Sequence, residues 1–216
     1  MRPVQIAFWI AGLAAASLAY VRLLRPRVLH WGSTLQEQEQ AMPGDDILPD
    51  AVLQTTRSVT IDAPVEDVWP WLVQMGGGDR AGAYTYDWIE RRLGIEIRNS
   101  DRILPEYQHL DVGQFLELNQ QGTGLVVRDV ATNKHLVLQW EPAQSTWTFA
   151  LYPLDEGKTR LVSRNRLRST GAMFWPTMIA LMEPGSLLME RKMLLGIKER
   201  AEHLAFERHL SDNRVA

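Results

Sequence analysis

Residues 60–76 read TIDAPVEDVWPWLVQMG and place the end of a strand directly before the start of a helix. Apolar and polar side chains alternate over residues 52–61, as expected of a strand with one buried face. Asp62 is a good helix N-cap, and Pro64 suits the first helical turn. We therefore predict a strand over residues 52–61, followed at once by a short helix that ends at the glycines 76–78.

Strand-like segments and a long helix make up the rest of the chain. A second short helix is predicted over residues 85–93, and several segments alternate as antiparallel strands do. These segments are residues 112–119, 125–130, 136–140, 145–152 and 159–167. Residues 183–208 carry apolar side chains at helical spacing, with a charged opposite face that includes Glu190. This order of elements predicts an α+β domain.

Three blocks of the sequence resemble a known superfamily. They are residues 60–76, YTYDWIERRLG at 84–94 and EPGSLLMERKMLLGIKERAE at 183–202. Together they resemble the SRPBCC superfamily (START-like, helix-grip, polyketide cyclase/dehydrase-related), and more narrowly a bacterial membrane-anchored subgroup, from Trp31 to Phe206. The resemblance implies a curved antiparallel sheet wrapped around a long C-terminal helix, with a cavity between them. Since this fold hosts ligand carriers, cyclases and co-chaperone modules, it does not by itself select an activity.

The N-terminal segment is apolar and uncharged. Residues 3–21 contain no formal charge, and a helix of that length covers roughly 28 Å, close to the hydrocarbon core of a bilayer. The three arginines at 22, 25 and 27 favour a cytoplasmic C-terminal side. We expect an N-terminal transmembrane helix and a single-pass membrane protein with a cytoplasmic domain. A cleaved signal peptide and a buried core helix are the alternatives.

Charge and composition divide the chain into four parts. We predict a transmembrane anchor with a basic flank at 1–30, an acidic connector at 31–51, a helix-grip domain at 52–208 and a polar tail at 209–216. Between residues 31 and 56 there are five acids and no lysine or arginine. Such a run is typical of a solvated linker, although it could also lie along the domain as a structured lead-in.

Composition excludes several classes of site. There is no cysteine, so disulfides and thiolate metal sites are excluded, and the five histidines show no metal-binding spacing. The net charge of −3 argues against a nucleic-acid partner. The glycine run at 76–78 lacks the Lys-Ser/Thr pair of a phosphate-binding loop. We therefore predict no metal, no cofactor and no nucleic-acid partner.

Aromatic and methionine side chains are the main candidates for ligand contacts. In a helix-grip domain such side chains can line an apolar cavity, although buried aromatic residues more often form packed core. The candidates are Trp71, Met75, Tyr84, Tyr86, Trp88, Trp140, Trp147, Phe149, Met189 and Met193.

Charged side chains supply the remaining site candidates. Arg164 and Arg166 share one face of a strand, so they could hold a carboxylate if that face is inward or be surface charges if it is outward. Asp87 and Glu183 are weak candidates for a catalytic base, the alternative being acids at helix termini.

The predicted function is membrane-tethered binding of a hydrophobic small molecule or lipid in the helix-grip cavity. Two alternatives stay open: a cyclase/dehydratase-type enzyme that uses a cavity carboxylate or tyrosine, and a co-chaperone-like module that binds another protein at the membrane. The sequence leaves open whether the protein is an enzyme.

Overall fold

Within the residues described by the computed structural model, six strands form one antiparallel sheet. These residues are 5, 12, 15, 18–92, 94, 98–119, 121–140, 144–168 and 175–215. The strands are β1 (Leu53–Ile61), β2 (Phe115–Glu117), β3 (Gly124–Ala131), β4 (His135–Trp140), β5 (Ser145–Pro153) and β6 (Thr159–Leu167), in the spatial order β1-β6-β5-β4-β3-β2. The α-helices are α1 (Arg25–Leu29), α2 (Leu35–Glu39), α3 (Val65–Val73), α4 (Asp87–Arg92) and α5 (Trp175–Val215). A π-helical turn at Tyr20–Leu24 precedes α1, and short 3-10 turns lie at Asp45–Ile47, Pro105–Tyr107 and Asp155–Gly157.

The core lies between the concave face of this sheet and α5. Ile61 of β1, Phe149 of β5 and Leu161 of β6 are fully buried there. On α5, Leu194 and Ile197 are also fully buried and follow helical spacing. Alternation in the strands and three-to-four spacing in the helix therefore bring two apolar faces together. The predicted α+β sheet wrapped around a C-terminal helix is confirmed.

A glycine in α5 lets the segment between α3 and α4 approach the helix closely. A Cβ added at Gly196 would lie 2.9 Å from the Tyr84 Cβ, which is closer than packed carbons tolerate. Tyr84 itself has a positive φ of 57°, and the guanidinium of Arg200 lies 4.6 Å from its ring centroid. This cation–π contact helps hold the segment against α5.

The predicted connector is a structured lead-in on the convex face of the sheet. Helix α2 begins with a capping box in which Thr34 and Glu37 exchange hydrogen bonds. The Glu37 carboxylate then bonds Arg160 of β6 at 2.7 Å, and the Pro43 carbonyl accepts from Thr148 of β5 at 3.0 Å. Of the two alternatives for residues 31–51, the structured one is observed.

The expected single-pass membrane localisation is contradicted. No helix in the described part of the chain is both long enough and apolar enough to cross a bilayer. Of residues 3–17, on which most of the anchor prediction rests, only residues 5, 12 and 15 lie within the described set.

Candidate functional site

The concave face carries a buried ion pair between β1 and α5. Arg57 lies on the inward side of β1, two residues from Val59, and its side chain is fully buried. Its Nη1 pairs with the Glu190 carboxylate, Nη2 donates to Ser186 Oγ at 2.9 Å, and Nε donates to the Val28 carbonyl at 3.2 Å. Each guanidinium nitrogen is thus bonded, as a buried charge requires.

Side chains of β6 hold the other half of this ion pair. The Glu190 Oε1 accepts from Ser163 Oγ at 2.6 Å, and Oε2 accepts from Asn165 Nδ2 at 3.2 Å. Ser163 Oγ in turn accepts from the indole Nε1 of Trp147 at 2.9 Å. Burial raises the pKa of Glu190, and the Arg57 charge and the Ser163 hydrogen bond partly oppose that rise. We call Arg57, Ser163, Asn165 and Glu190 the interior polar cluster, and the exposed Ser186 contacts it from the helix surface.

One end of the concave face keeps contact with solvent. Trp140, Trp147 and Asn165 point to the same side of the sheet as the fully buried Phe149, yet all three are only half-buried. Leu167, at the end of β6, is half-buried as well. An apolar surface with solvent access therefore adjoins the interior polar cluster, and this combination is typical of a ligand site.

Three of the predicted aromatic contacts lie on this face. Trp140, Trp147 and Phe149 are inward on β4 and β5, and the Trp147 and Phe149 rings pack with centroids 4.9 Å apart. On α5, Met193 is fully buried in the core, whereas Met189 is half-buried. The half-buried members of this set, Trp140, Trp147 and Met189, are the ones able to contact a ligand without a rearrangement of the core.

A second group of predicted residues packs between α3 and α4. The Tyr84 hydroxyl donates to the Trp71 carbonyl at 2.9 Å and accepts from Gln74 Nε2 at 3.0 Å. The Trp71 and Tyr84 rings meet edge to face at 6.1 Å, and burial raises the pKa of Tyr84. Met75 is buried in the same core. These residues act as packing in this conformation.

Two other aromatic candidates lie near α4. Tyr86 is half-buried, while Trp88 is 65% exposed. The Trp88 side chain therefore does not line the interior. It offers a matched control for experiments on Trp147.

The two predicted ligand arginines lie on the opposite face of the sheet. Arg164 is 2% exposed, its Nη1 pairs with Asp45 Oδ2 at 2.6 Å, and its Nη2 donates to the Glu37 carbonyl at 2.6 Å. Arg166 donates to the Leu48 carbonyl at 3.0 Å. Their assignment to the ligand site is therefore corrected: they are convex-face residues that bind the lead-in.

The two predicted catalytic acids are each held by a neighbour. Asp87 Oδ1 accepts from Asn99 Nδ2 at 2.6 Å, and Glu183 Oε1 pairs with Arg25 Nη2 at 2.8 Å. Burial and the Glu183 charge raise the pKa of Tyr20, whose hydroxyl donates to that carboxylate at 3.3 Å.

The carboxylate beside the half-buried tryptophans is instead Glu190, which the sequence analysis placed on the charged face of the helix. Its spacing from Leu194 and Ile197 is the signal that marks it as inward.

A separate surface pocket of about 380 Å³ lies between the glycine run and the edge strand β2. Arg80, which lines it, donates to the carbonyls of Val73 and Met75 and lies 4.7 Å from the Tyr107 ring centroid. The guanidinium is thus occupied in capping the end of α3. Across the described residues, no group of three or more histidine, aspartate or glutamate side chains could hold a metal ion.

Comparisons with known proteins give matches among solved structures only. The sequence matches no protein-family model, and no curated protein is similar enough to match it. Among solved structures, a START superfamily protein from Mycobacterium smegmatis is 13% identical, with 70% of this chain and 98% of that chain covered and a TM-score of 0.43. CalC, a self-sacrificing resistance protein from Micromonospora echinospora, is 15% identical over 70% and 96%, with a TM-score of 0.43. The polyketide-cyclase-like protein Cgl2372 from Corynebacterium glutamicum is 15% identical over 73% and 92%, with a TM-score of 0.36.

These similarities carry no information on ligand or reaction. In the described part of this chain, six antiparallel strands lie in the order β1-β6-β5-β4-β3-β2, two short helices lie between β1 and β2, and a long helix after β6 packs on the concave face. This arrangement is the helix-grip fold that the sequence resemblance implied.

Proposed function

We propose that the protein binds a hydrophobic small molecule or lipid between the concave face of the sheet and α5. The observation that carries this proposal is the pair of half-buried tryptophans, Trp140 and Trp147, beside the interior polar cluster. Large apolar side chains that keep solvent access inside a fold leave free energy to be gained by a ligand that covers them.

A neutral fluorescent probe tests this proposal directly. N-phenyl-1-naphthylamine is titrated into the full-length protein, the Trp147→Ala variant and the Trp88→Ala variant. We expect the probe to bind the wild-type protein saturably. The Kd of Trp147→Ala should be about tenfold higher, because the indole supplies a large part of the contact surface. Trp88→Ala, which removes the same side chain from an exposed position, leaves the Kd within about twofold.

Circular dichroism shows whether both variants keep the wild-type fold. Absence of saturable binding to the wild-type protein, or equal effects of the two variants, contradicts the proposal.

Glu190 supports a second candidate function, a cyclase/dehydratase-type enzyme. A buried carboxyl whose pKa is raised and which lies next to half-buried aromatic side chains can take a proton from a carbon acid. In heavy water, the protein then exchanges the α-hydrogens of decan-2-one for deuterium faster than buffer does, and Glu190→Gln abolishes the difference. Equal exchange rates with wild-type protein and buffer alone contradict this candidate.

A further inference from the structure

One buried hydroxyl on the concave face has no hydrogen-bond partner among the described residues. Thr55 of β1 is 5% exposed, and its Oγ1 makes no hydrogen bond in the described structure. Nearly all buried hydroxyls in folded proteins are hydrogen-bonded. Thr55 is on the same side of β1 as Arg57, two residues away, so the unpartnered oxygen lies on the inner face of the sheet.

The strand register places this hydroxyl beside Asn165 and Trp147. Thr55 pairs with Asn165 across β1 and β6, and Asn165 pairs with Trp147 across β6 and β5. Directly opposed side chains on one face of an antiparallel sheet are close neighbours. Asn165 and Trp147 are the half-buried residues of the proposed site, so the unpartnered hydroxyl adjoins the surface that a ligand would cover.

The charges next to this position cancel. Arg57 and Glu190 pair with each other, and the remaining partners of both groups are hydroxyl, amide and carbonyl groups. An anionic ligand group at Thr55 would meet the Glu190 carboxylate, and a cationic group would meet the Arg57 guanidinium. Either charge would be desolvated without a counter-charge of its own, which is unfavourable.

We propose that the ligand is an uncharged amphipathic molecule whose hydroxyl or carbonyl group hydrogen-bonds Thr55 Oγ1 and the Asn165 amide while its apolar body lies against Trp147. This inference rests on the proposed function and specifies the ligand class of the same site. The inference predicts that alcohols, ketones and sterol-like molecules bind more tightly than fatty acids and alkylamines do.

Three ligands with one ten-carbon chain test the inference. Decan-1-ol, decanoate and decylammonium are each titrated into protein that holds N-phenyl-1-naphthylamine, and displacement of this probe measures their affinity. The titrations are made at pH 7.5, where decanoate and decylammonium are charged. We expect decan-1-ol to bind at least about tenfold more tightly than either charged analogue, because the two charges described next to Thr55, those of Arg57 and Glu190, already pair with each other. Decanoate or decylammonium binding as tightly as decan-1-ol overturns the inference alone, whereas no binding of the naphthylamine probe overturns the proposed function with it.

A matched pair of variants tests the position of the polar group. Thr55→Val keeps the side-chain shape and removes the hydroxyl, so it weakens the binding of decan-1-ol by about fivefold. Thr148→Val makes the same change on the convex face, where the hydroxyl donates to the Pro43 carbonyl, and leaves the affinity for decan-1-ol unchanged. Unchanged decan-1-ol affinity in Thr55→Val overturns the assignment of Thr55.

Discussion

The two faces of the sheet each bury an arginine, and each arginine meets a different kind of partner. On the convex face, Arg164 pairs with Asp45 and donates to backbone carbonyls of the lead-in, so the chain itself covers that face. On the concave face, Arg57 pairs with Glu190, and half-buried Trp147 is linked to Glu190 by two hydrogen bonds through Ser163. A buried charge can therefore mark a face that the chain itself covers, as on the convex side, or a face with half-buried aromatic side chains beside it, as on the concave side.

The largest effect is expected from breaking the concave ion pair. Arg57→Met leaves the Glu190 carboxylate buried without its counter-charge, which costs about 3–5 kcal/mol of unfolding free energy. Urea denaturation followed by circular dichroism measures this loss. The double variant Arg57→Met/Glu190→Leu recovers most of it, because the pair is replaced by apolar groups. A loss below about 1 kcal/mol in the single variant contradicts a buried, functional ion pair.

Breaking the contacts between Arg164 and the lead-in on the convex face is expected to lower stability by a smaller amount. This effect should be separable from ligand binding. Arg164→Met removes the donor to three lead-in carbonyls and the partner of Asp45, for a loss of about 2–3 kcal/mol. Backbone amide hydrogen exchange should become faster over residues 35–48. The Kd of N-phenyl-1-naphthylamine should stay within about twofold of the wild-type value. Arg168→Met is the matched control, since its ion pair with Asp50 is more exposed and contributes less to stability. Lost probe binding in Arg164→Met would mean that the two faces are not independent.

The pH dependence of stability gives a smaller test of the same pair. Burial raises the pKa of Glu190, so the folded state holds its proton to higher pH than the unfolded state does. The contribution of Glu190 to stability is therefore full below the usual glutamate pKa and falls as pH rises through the raised value. The stability difference between wild type and Glu190→Gln, measured from about pH 4 to 8, should decline with pH. A difference that grows over this range contradicts the direction of the shift.

The smallest expected change in the free energy of unfolding comes from removing one threonine hydroxyl from either face of the sheet. Thr55→Val removes an unpartnered buried hydroxyl and raises the free energy of unfolding by about 0.5–1 kcal/mol in the absence of ligand. Thr148→Val removes a hydroxyl bonded to the Pro43 carbonyl and lowers it by about 1 kcal/mol. Thermal and urea denaturation of both variants check the two signs. The same sign for both would show that the Thr55 hydroxyl has a partner in solution.

Local patterns predicted the elements of this fold well. Alternation over residues 145–152 put Trp147 and Phe149 on one face of a strand, and both are inward on β5. The segment 112–119 was predicted too long, because β2 covers only Phe115–Glu117 at the edge of the sheet. Edge strands have one paired side, so alternation alone overestimates their length.

The site itself was harder to predict, because it depends on contacts between distant parts of the chain. The charge of Glu190 favours an exposed helix face, although its spacing from Leu194 places it on the apolar side of α5. One feature of the lead-in, the capping box formed by Thr34 and Glu37, is local and could have indicated structure there. The neighbourhood of Thr55 and Asn165 arises from strand register and has no local signal.

The central claim is that the concave face, and not another surface, binds an uncharged apolar ligand. The most direct measurement is the NMR spectrum of the tryptophan indole N–H groups during titration with decan-1-ol, with Trp147 and Trp88 assigned from their alanine variants. We predict that the Trp147 signal shifts to saturation, because its indole borders the interior polar cluster, while the Trp88 signal stays in place. A saturable shift of Trp88 with an unmoved Trp147 signal would contradict the account.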